Sequence, residues 1–295
     1  MTSVVARNVF WLAPGKPHHT IRANSDLVLI PVSVIDAKGR FVTGLGREAF
    51  RVFDKHDEQK ITYFAEEDVA VSLGIVFDSS GSMKNKLWAS REALACLARF
   101  ANAEDEFFVV RFDNRPELTT PFHSDIGPIQ SSVLFTQATG KTALLDAVYM
   151  AFNYMKNAKN PRRVLLVISD GVDNHSRYSR EDVRHLVRES AVPIYSIGLY
   201  GQAAGMLPEE EGGGAALLNE IADESGGRQF EIHNPAGLMD TAAKLGRELH
   251  NQYVLGFSPL DSGRDGQYHR TRVRVDGRGL RVFARPGYWA TEPQK

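Results

Sequence analysis

The sequence predicts an α/β fold built on a doubly wound, mostly parallel sheet, with β-segments before and after it. Three observations lead there. Residues 71–77 (VSLGIVF) form a nearly continuous apolar strand, as expected where helices cover both faces of a sheet. From there to residue 250, short apolar runs alternate with stretches of helical apolar spacing, the pattern of a layered α/β domain. On either side of that region the texture is short strands and charged turns.

Taken in order, residues 26–35 read as a strand with a β-branched bias (Leu27, Val28, Leu29, Ile30, Val32, Val34), followed by a turn at Asp36-Ala37-Lys38-Gly39. Short strands follow at 50–53 and 61–64, separated by a charged turn at 54–58. After the 71–77 strand, Leu87, Leu94, Leu97, Ala98 and Ala101 share one side of a helix spanning 84–101. Strands at 107–112, 164–168, 193–199 and 229–232 then alternate with helices at 143–155, 180–190, 216–224 and 238–250. Strands return at 253–257, 268–275 and 280–284, the second setting Thr271, Val273 and Val275 against a solvated face of Arg270, Arg272 and Arg274. The expected division is 1–66, 67–251 and 252–295. Neither flank is large enough to stand alone and chain termini commonly lie together, so the flanks are expected to pair into one small β-sandwich.

Of the 295 residues, 43% are hydrophobic and 24% charged, enough for a real core. The net charge of −1 supplies no field that would draw the chain to nucleic acid or anionic lipid. Cys96 is the single cysteine, so no internal disulfide can form, and its apolar helical setting reads as a small buried hydrophobe. No stretch approaches the ~18–20 apolar residues of a membrane helix. Residues 1–17 lack the pattern of a secretory signal, which leaves the compartment open. His18 and His19 read as a solvated tail, Trp88 and Phe100 as core or half-core, and residues 209–214 (EEEGGG) as a mobile acidic loop.

The chemistry sits where strands end. Asp78-Ser79-Ser80-Gly81-Ser82 follows the 71–77 strand and precedes a helix, so Asp78, Ser80 and Ser82 can aim at one point in the crevice at the strands' carboxyl ends. Thr142 stands just before a helix, and Asp170 ends the strand at 164–168. Singly, each is a plausible cap or turn former. Together they form a set of hard oxygen donors suited to Mg²⁺ first, with Mn²⁺ or Ca²⁺ as alternatives. Ser79, Lys141, Asp173 and His175 are expected to border the site and to meet its ligand.

This arrangement resembles the metal-ion-dependent adhesion site of the von Willebrand factor A family, a Rossmann-like fold. The resemblance covers roughly residues 71–250. It implies that Ser80 and Ser82 ligate one divalent ion directly, Thr142 directly or through water, and Asp78 and Asp170 largely through water. The partner it implies is a protein offering an Asp or Glu carboxylate to the metal. The layout also resembles bacterial von Willebrand factor A-related proteins, whose members are often exported, through Phe41-Val42-Thr43-Gly44-Leu45, Phe50-Arg51-Val52-Phe53, Tyr253-Val254-Leu255-Gly256-Phe257 and Arg285-Pro286-Gly287-Tyr288. Lys141 departs from the glycine many relatives carry. Its ammonium would weaken metal affinity or greet an acidic partner.

With only two carboxylates the ion is just neutralised and its shell incomplete, which favours non-enzymatic binding over a tight calcium buffer. Two rivals stand beside it. A hydrolase would need a nucleophile paired with a base, His175 being the nearest. The motif is not the Gly-x-Ser-x-Gly elbow, and Gly140-Lys141-Thr142 lacks the first glycine of a phosphate loop because Phe135 holds that place. The other rival is a structural scaffold whose metal site is vestigial.

Overall fold

The computed structural model describes residues 27–190, 192–200, 208–234, 237–259 and 265–290. The N-terminal flank folds as β1 (Val28–Ile35), a 3₁₀ turn at Arg47–Ala49, β2 (Phe50–Asp54), β3 (Asp57–Gln59) and β4 (Tyr63–Asp68). The central region runs β5 (Val71–Asp78), α1 (Leu87–Leu97), β6 (Glu106–Phe112), β7 (Pro116–His123), α2 (Gly127–Leu134), α3 (Leu144–Met155), β8 (Arg162–Ser169), α4 (Arg180–Glu189), β9 (Ile194–Leu199), α5 (Pro208–Ser225), β10 (Gln229–Ile232) and α6 (Leu238–His250). The C-terminal flank adds β11 (Asn251–Phe257), β12 (Tyr268–Val275), β13 (Arg281–Ala284) and β14 (Gly287–Trp289).

The central sheet has the order β10-β9-β8-β5-β6-β7 and is parallel except for β7. Every residue of β5 is buried, because helices cover both faces. Leu87, Leu94 and Leu97 of α1 and Leu238, Leu245 and Leu249 of α6 pack on one side. Val148 and Phe152 of α3, Val183 and Val187 of α4, and Leu217 and Ile221 of α5 pack on the other. Gly74 leaves room for the Phe108 ring, which any Cβ there would strike. No helix among the described residues is long and apolar enough to cross a membrane.

The flanks do pair. One antiparallel sheet has the order β13-β1-β11-β4 and the other β14-β12-β2-β3, so each contains strands from both ends of the chain. Their inner faces share a core of Ile30, Val32, Val34, Phe50, Val52, Tyr253, Leu255 and Phe257. At its centre the Tyr253 ring lies against Phe41, Phe50 and Phe64, and its hydroxyl donates to Val42 O (2.9 Å) while accepting from Leu45 N–H (3.1 Å). The contacts between this sandwich and the α/β unit fall near the amino ends of the parallel strands, as where Ser33 of β1 meets Tyr195 of β9. The strands' carboxyl ends stay clear.

Several elements differ from expectation. The charged stretch 54–58 is a tight hairpin, with Lys55 at φ 56° and β3 beyond it. The third strand starts at Tyr63 and runs on to Asp68. The helix expected at 84–101 is α1 flanked by 3₁₀ turns at Gly81–Met83 and Ala98–Phe100. Residues 113–142 supply β7 and α2, unread in the sequence because β7 is a half-buried edge strand with polar residues on both faces. The 209–214 stretch is the start of helix α5 rather than a loop, consistent with glutamates at a helix N-terminus. Trp88 is 52% exposed rather than core. His18 and His19 lie outside the described residues.

Tyr253→Phe should lower unfolding free energy by about 1–3 kcal/mol, the cost of stripping the Leu45 N–H of its acceptor. Chemical denaturation reads this directly, and a neutral substitution would show that the aromatic cluster alone secures the sandwich.

Candidate functional site

Parallel pairing of β5 with β8 brings Asp78 and Asp170 to the same sheet edge, since one ends β5 and the other follows β8 directly. Both carboxylates are fully buried, as is Ser80, and Thr142 is nearly so. Asp78 Oδ1 accepts the Ser80 N–H (2.8 Å) and Oδ2 the Ser169 hydroxyl (2.5 Å). Ser80 Oγ and Ser82 Oγ stand 3.1 Å apart. Burial first, and then the Asp170 charge, push the Asp78 carboxyl up to about 7.

Three loops are laced together around this point. Thr139 N–H donates to Ser79 O (2.9 Å) and Gly81 N–H to Gly140 O (3.1 Å), tying the loop after β5 to the loop before α3. The Asn174 and His175 N–H groups both donate to Thr142 O (3.0 Å), and Asn174 Oδ1 accepts the Thr142 N–H (2.9 Å), tying in the loop after β8. Gly171 turns at φ 82° against Gly214 of α5, where a Cβ would strike the helix backbone. The sequence's Asp78, Ser80, Ser82, Thr142 and Asp170 therefore do come together on one set of laced loops.

The four expected bordering residues divide. Ser79 is buried and its hydroxyl donates to Phe112 O (2.9 Å), so it faces the sheet. Asp173 Oδ1 accepts from Leu144 N–H (2.9 Å) and the Ser176 hydroxyl (2.6 Å), holding the start of α3. Lys141 and His175 are exposed at the rim. The hydrogen bonds of the Ser79, Ser80 and Ser82 side chains among the described residues reach no histidine.

Two residues escaped the sequence reading. Ser169 bridges Asp78 and the Gly171 N–H (2.9 Å). Lys86, buried, extends its ammonium to Asp170 Oδ2 at 3.0 Å. Its position eight residues past Asp78, just before α1, is the only signal of this in the sequence. No group of three or more His, Cys, Asp or Glu side chains suited to a metal occurs among the described residues. The constellation consists of the Asp78 and Asp170 carboxylates beside the Ser80, Ser82 and Thr142 hydroxyls.

Residues 73–172 match the von Willebrand factor type A domain family. Among curated proteins, human inter-alpha-trypsin inhibitor heavy chain H4 is 24% identical over 201 residues, covering 63% of this chain and 20% of that protein. An uncharacterized protein of Borreliella burgdorferi is 22% identical over 224 residues, covering 72% of this chain and 61% of its own. The matches therefore span about a fifth and about three fifths of those relatives. The solved structure of a von Willebrand factor type A protein from Catenulispora acidiphila aligns over 92% of this chain and 75% of its own, with a TM-score of 0.51 and 14% identity, a likeness of fold.

In metal-free buffer, wild type should lose stability relative to Asp78→Asn as pH rises from about 4 to about 7. The folded state holds a proton on Asp78 across that window and the unfolded chain does not, so the loss runs at up to about 1.4 kcal/mol per pH unit. Urea denaturation of both proteins at several pH values measures it. A difference flat in pH would mean that Asp78 is ionised throughout.

Proposed function

We propose that this chain, whose central domain is of the von Willebrand factor type A family, is a non-enzymatic binding module that captures a protein partner through one divalent cation. The observation that carries this reading is the pairing of two fully buried carboxylates, Asp78 and Asp170, beside the Ser80 and Ser82 hydroxyls. A divalent cation within reach of both would replace the proton that burial and the neighbouring charge keep on Asp78, and so compensate the two carboxylates together. The donors are all hard oxygens, which suits Mg²⁺ first, then Mn²⁺ or Ca²⁺.

On this reading Ser80, Ser82 and Thr142 would hold the ion with Asp78 and Asp170, directly or through water. Bound there, the cation would supply an electrophilic centre for an incoming carboxylate. The chain's own contribution is to hold the donors rigid, through the laced loops and the Ser169 hydrogen bond to Asp78. Lys141 and His175 at the rim would meet the partner's surface.

One observation favours a second reading. The Lys86 ammonium on Asp170 is a built-in cation, and with it in place the domain would serve as a metal-free scaffold. Calorimetric titration with Mg²⁺ and Mn²⁺ separates the two. Wild type should bind, and Asp78→Ala and Ser80→Ala should each weaken binding by about 10–100-fold with native circular dichroism retained. At 100 times Kd the metal should stabilise wild type by about 2.7 kcal/mol. A wild type that ignores both metals, while Lys86→Met binds them, would establish the scaffold instead.

A further inference from the structure

Beside the carboxylates, on the face that α1 and α2 cover, large apolar side chains stand in the open. Trp88, Glu92 and Ala95 fall on one exposed stripe of α1, since residues three and four apart share a helix face. Opposite them, the last turn of α2 buries Val133 and leaves Leu134 55% exposed. Phe135, next in the chain, is 81% exposed. Trp88 and Leu134 line one open groove of about 620 Å³, with the buried Leu94 and Val133 in its floor. Arg91 joins the two walls. Its Nε donates to Val133 O (3.2 Å) and its Nη2 to Thr136 O (2.7 Å), so a side chain of α1 caps the carboxyl end of α2 and fixes where Leu134 stands.

The groove opens next to the carboxylate site. Trp88 comes two residues after Lys86, whose ammonium touches Asp170. Leu134 leads through Thr136 into the loop that Thr139 ties to Ser79. On this side of the site the loops 79–86, 113–115 and 135–143 expose Lys84, Arg115 and Lys141, while their only acidic residue, Asp113, is half-buried. Asn114 Oδ1 accepts the Lys141 N–H (3.0 Å), which joins the loops that carry Arg115 and Lys141. The whole chain has a net charge of −1, so this cationic rim is a local feature. Glu92 lies in the groove one turn beyond Trp88, which assigns an occupant's negative charge to the site end and its apolar part to the groove. Exposed apolar side chains rimmed by polar ones mark interaction surfaces, and a rim of one sign selects a partner of the other.

We infer that the protein partner docks through an acidic segment that sets a bulky apolar side chain in the groove between Trp88 and Leu134. This rests on the binding reading above and extends it. The segment's carboxylate meets the cation, its further acidic charge faces Lys84, Arg115 and Lys141, and the apolar side chain is what the groove selects. Trp88 carries the largest share of the groove's contribution, as aromatic anchors do in interfaces. Because Arg91 already joins the walls, little ordering has to be imposed on binding.

The test is selection of short random peptides, displayed on phage, against the immobilised full chain in Mg²⁺. Enriched peptides should be acidic and carry Phe, Tyr, Trp or Leu close to an Asp or Glu. The most enriched peptide, made synthetically, is then titrated by fluorescence anisotropy against wild type, Trp88→Ala, Leu134→Ser and Asp78→Ala. Trp88→Ala and Leu134→Ser should each weaken binding about tenfold or more. Both should keep the native circular dichroism, because the side chains they remove are exposed. Enrichment without acidic residues, acidic peptides without an apolar neighbour, binding indifferent to both groove variants, or no enrichment at all overturns the inference. So does sedimentation in which wild type self-associates and Trp88→Ala does not, since the occupant is then a second copy of the chain. The cation and the groove fail separately. Peptides that need Mg²⁺ and Asp78 but not Trp88 keep the cation reading and remove the groove. Acidic peptides that need Trp88 yet bind equally well in EDTA and to Asp78→Ala keep the groove and remove the cation.

Discussion

Two carboxylates, each fully removed from water, stand together at the carboxyl ends of β5 and β8, and much of the surrounding architecture follows from keeping them there. Buried like charges are costly in a medium of low dielectric constant. The fold answers that cost in three ways: proton retention by Asp78, hydrogen bonds from Ser80 and Ser169, and the Lys86 ammonium on Asp170. The Ser169 and Lys86 contacts depend on the parallel register of the two central strands. That register survives because both faces of β5 are sealed by helices.

A site of this kind needs an open approach and a rigid floor, and the rest of the chain provides both. The loops after β5, before α3 and after β8 are joined by main-chain hydrogen bonds, so their positions depend on one another rather than on long flexible side chains. The flanking strands weave into a sandwich at the amino ends of the parallel strands, away from the carboxylates. Interleaving strands from both flanks in each sheet makes the sandwich depend on the central region having folded and brought its two ends together. The contacts at that seam, including Arg228 stacked on Phe230 and Phe283 and the unpaired donors of Arg162 and Arg285, make it a polar junction.

The primary structure by itself determined the layered α/β plan, the placing of Asp78, Ser80, Ser82, Thr142 and Asp170 at strand and helix ends, and the β character of both flanks. These are local properties: apolar runs of strand length, helical spacing, and a hydroxyl-rich turn at a strand's end. Residues whose role depends on what meets them across space were not legible. Lys86 follows the motif closely, yet its ammonium reaches Asp170 only because the loop curls inward and β8 lies beside β5. Asp173 resembled a ligand-facing residue until tertiary structure set it under the first turn of α3. The edge strand β7 carries too few apolar residues to declare itself, and pairs only because β6 offers a free edge. Residues 209–214 read as a loop from their glycines, but at Gly214 the missing Cβ lets α5 approach the Asp170 carbonyl. Short-range pattern sufficed for each element's type, whereas charge compensation and close backbone approach were decided by contacts between residues far apart in the chain.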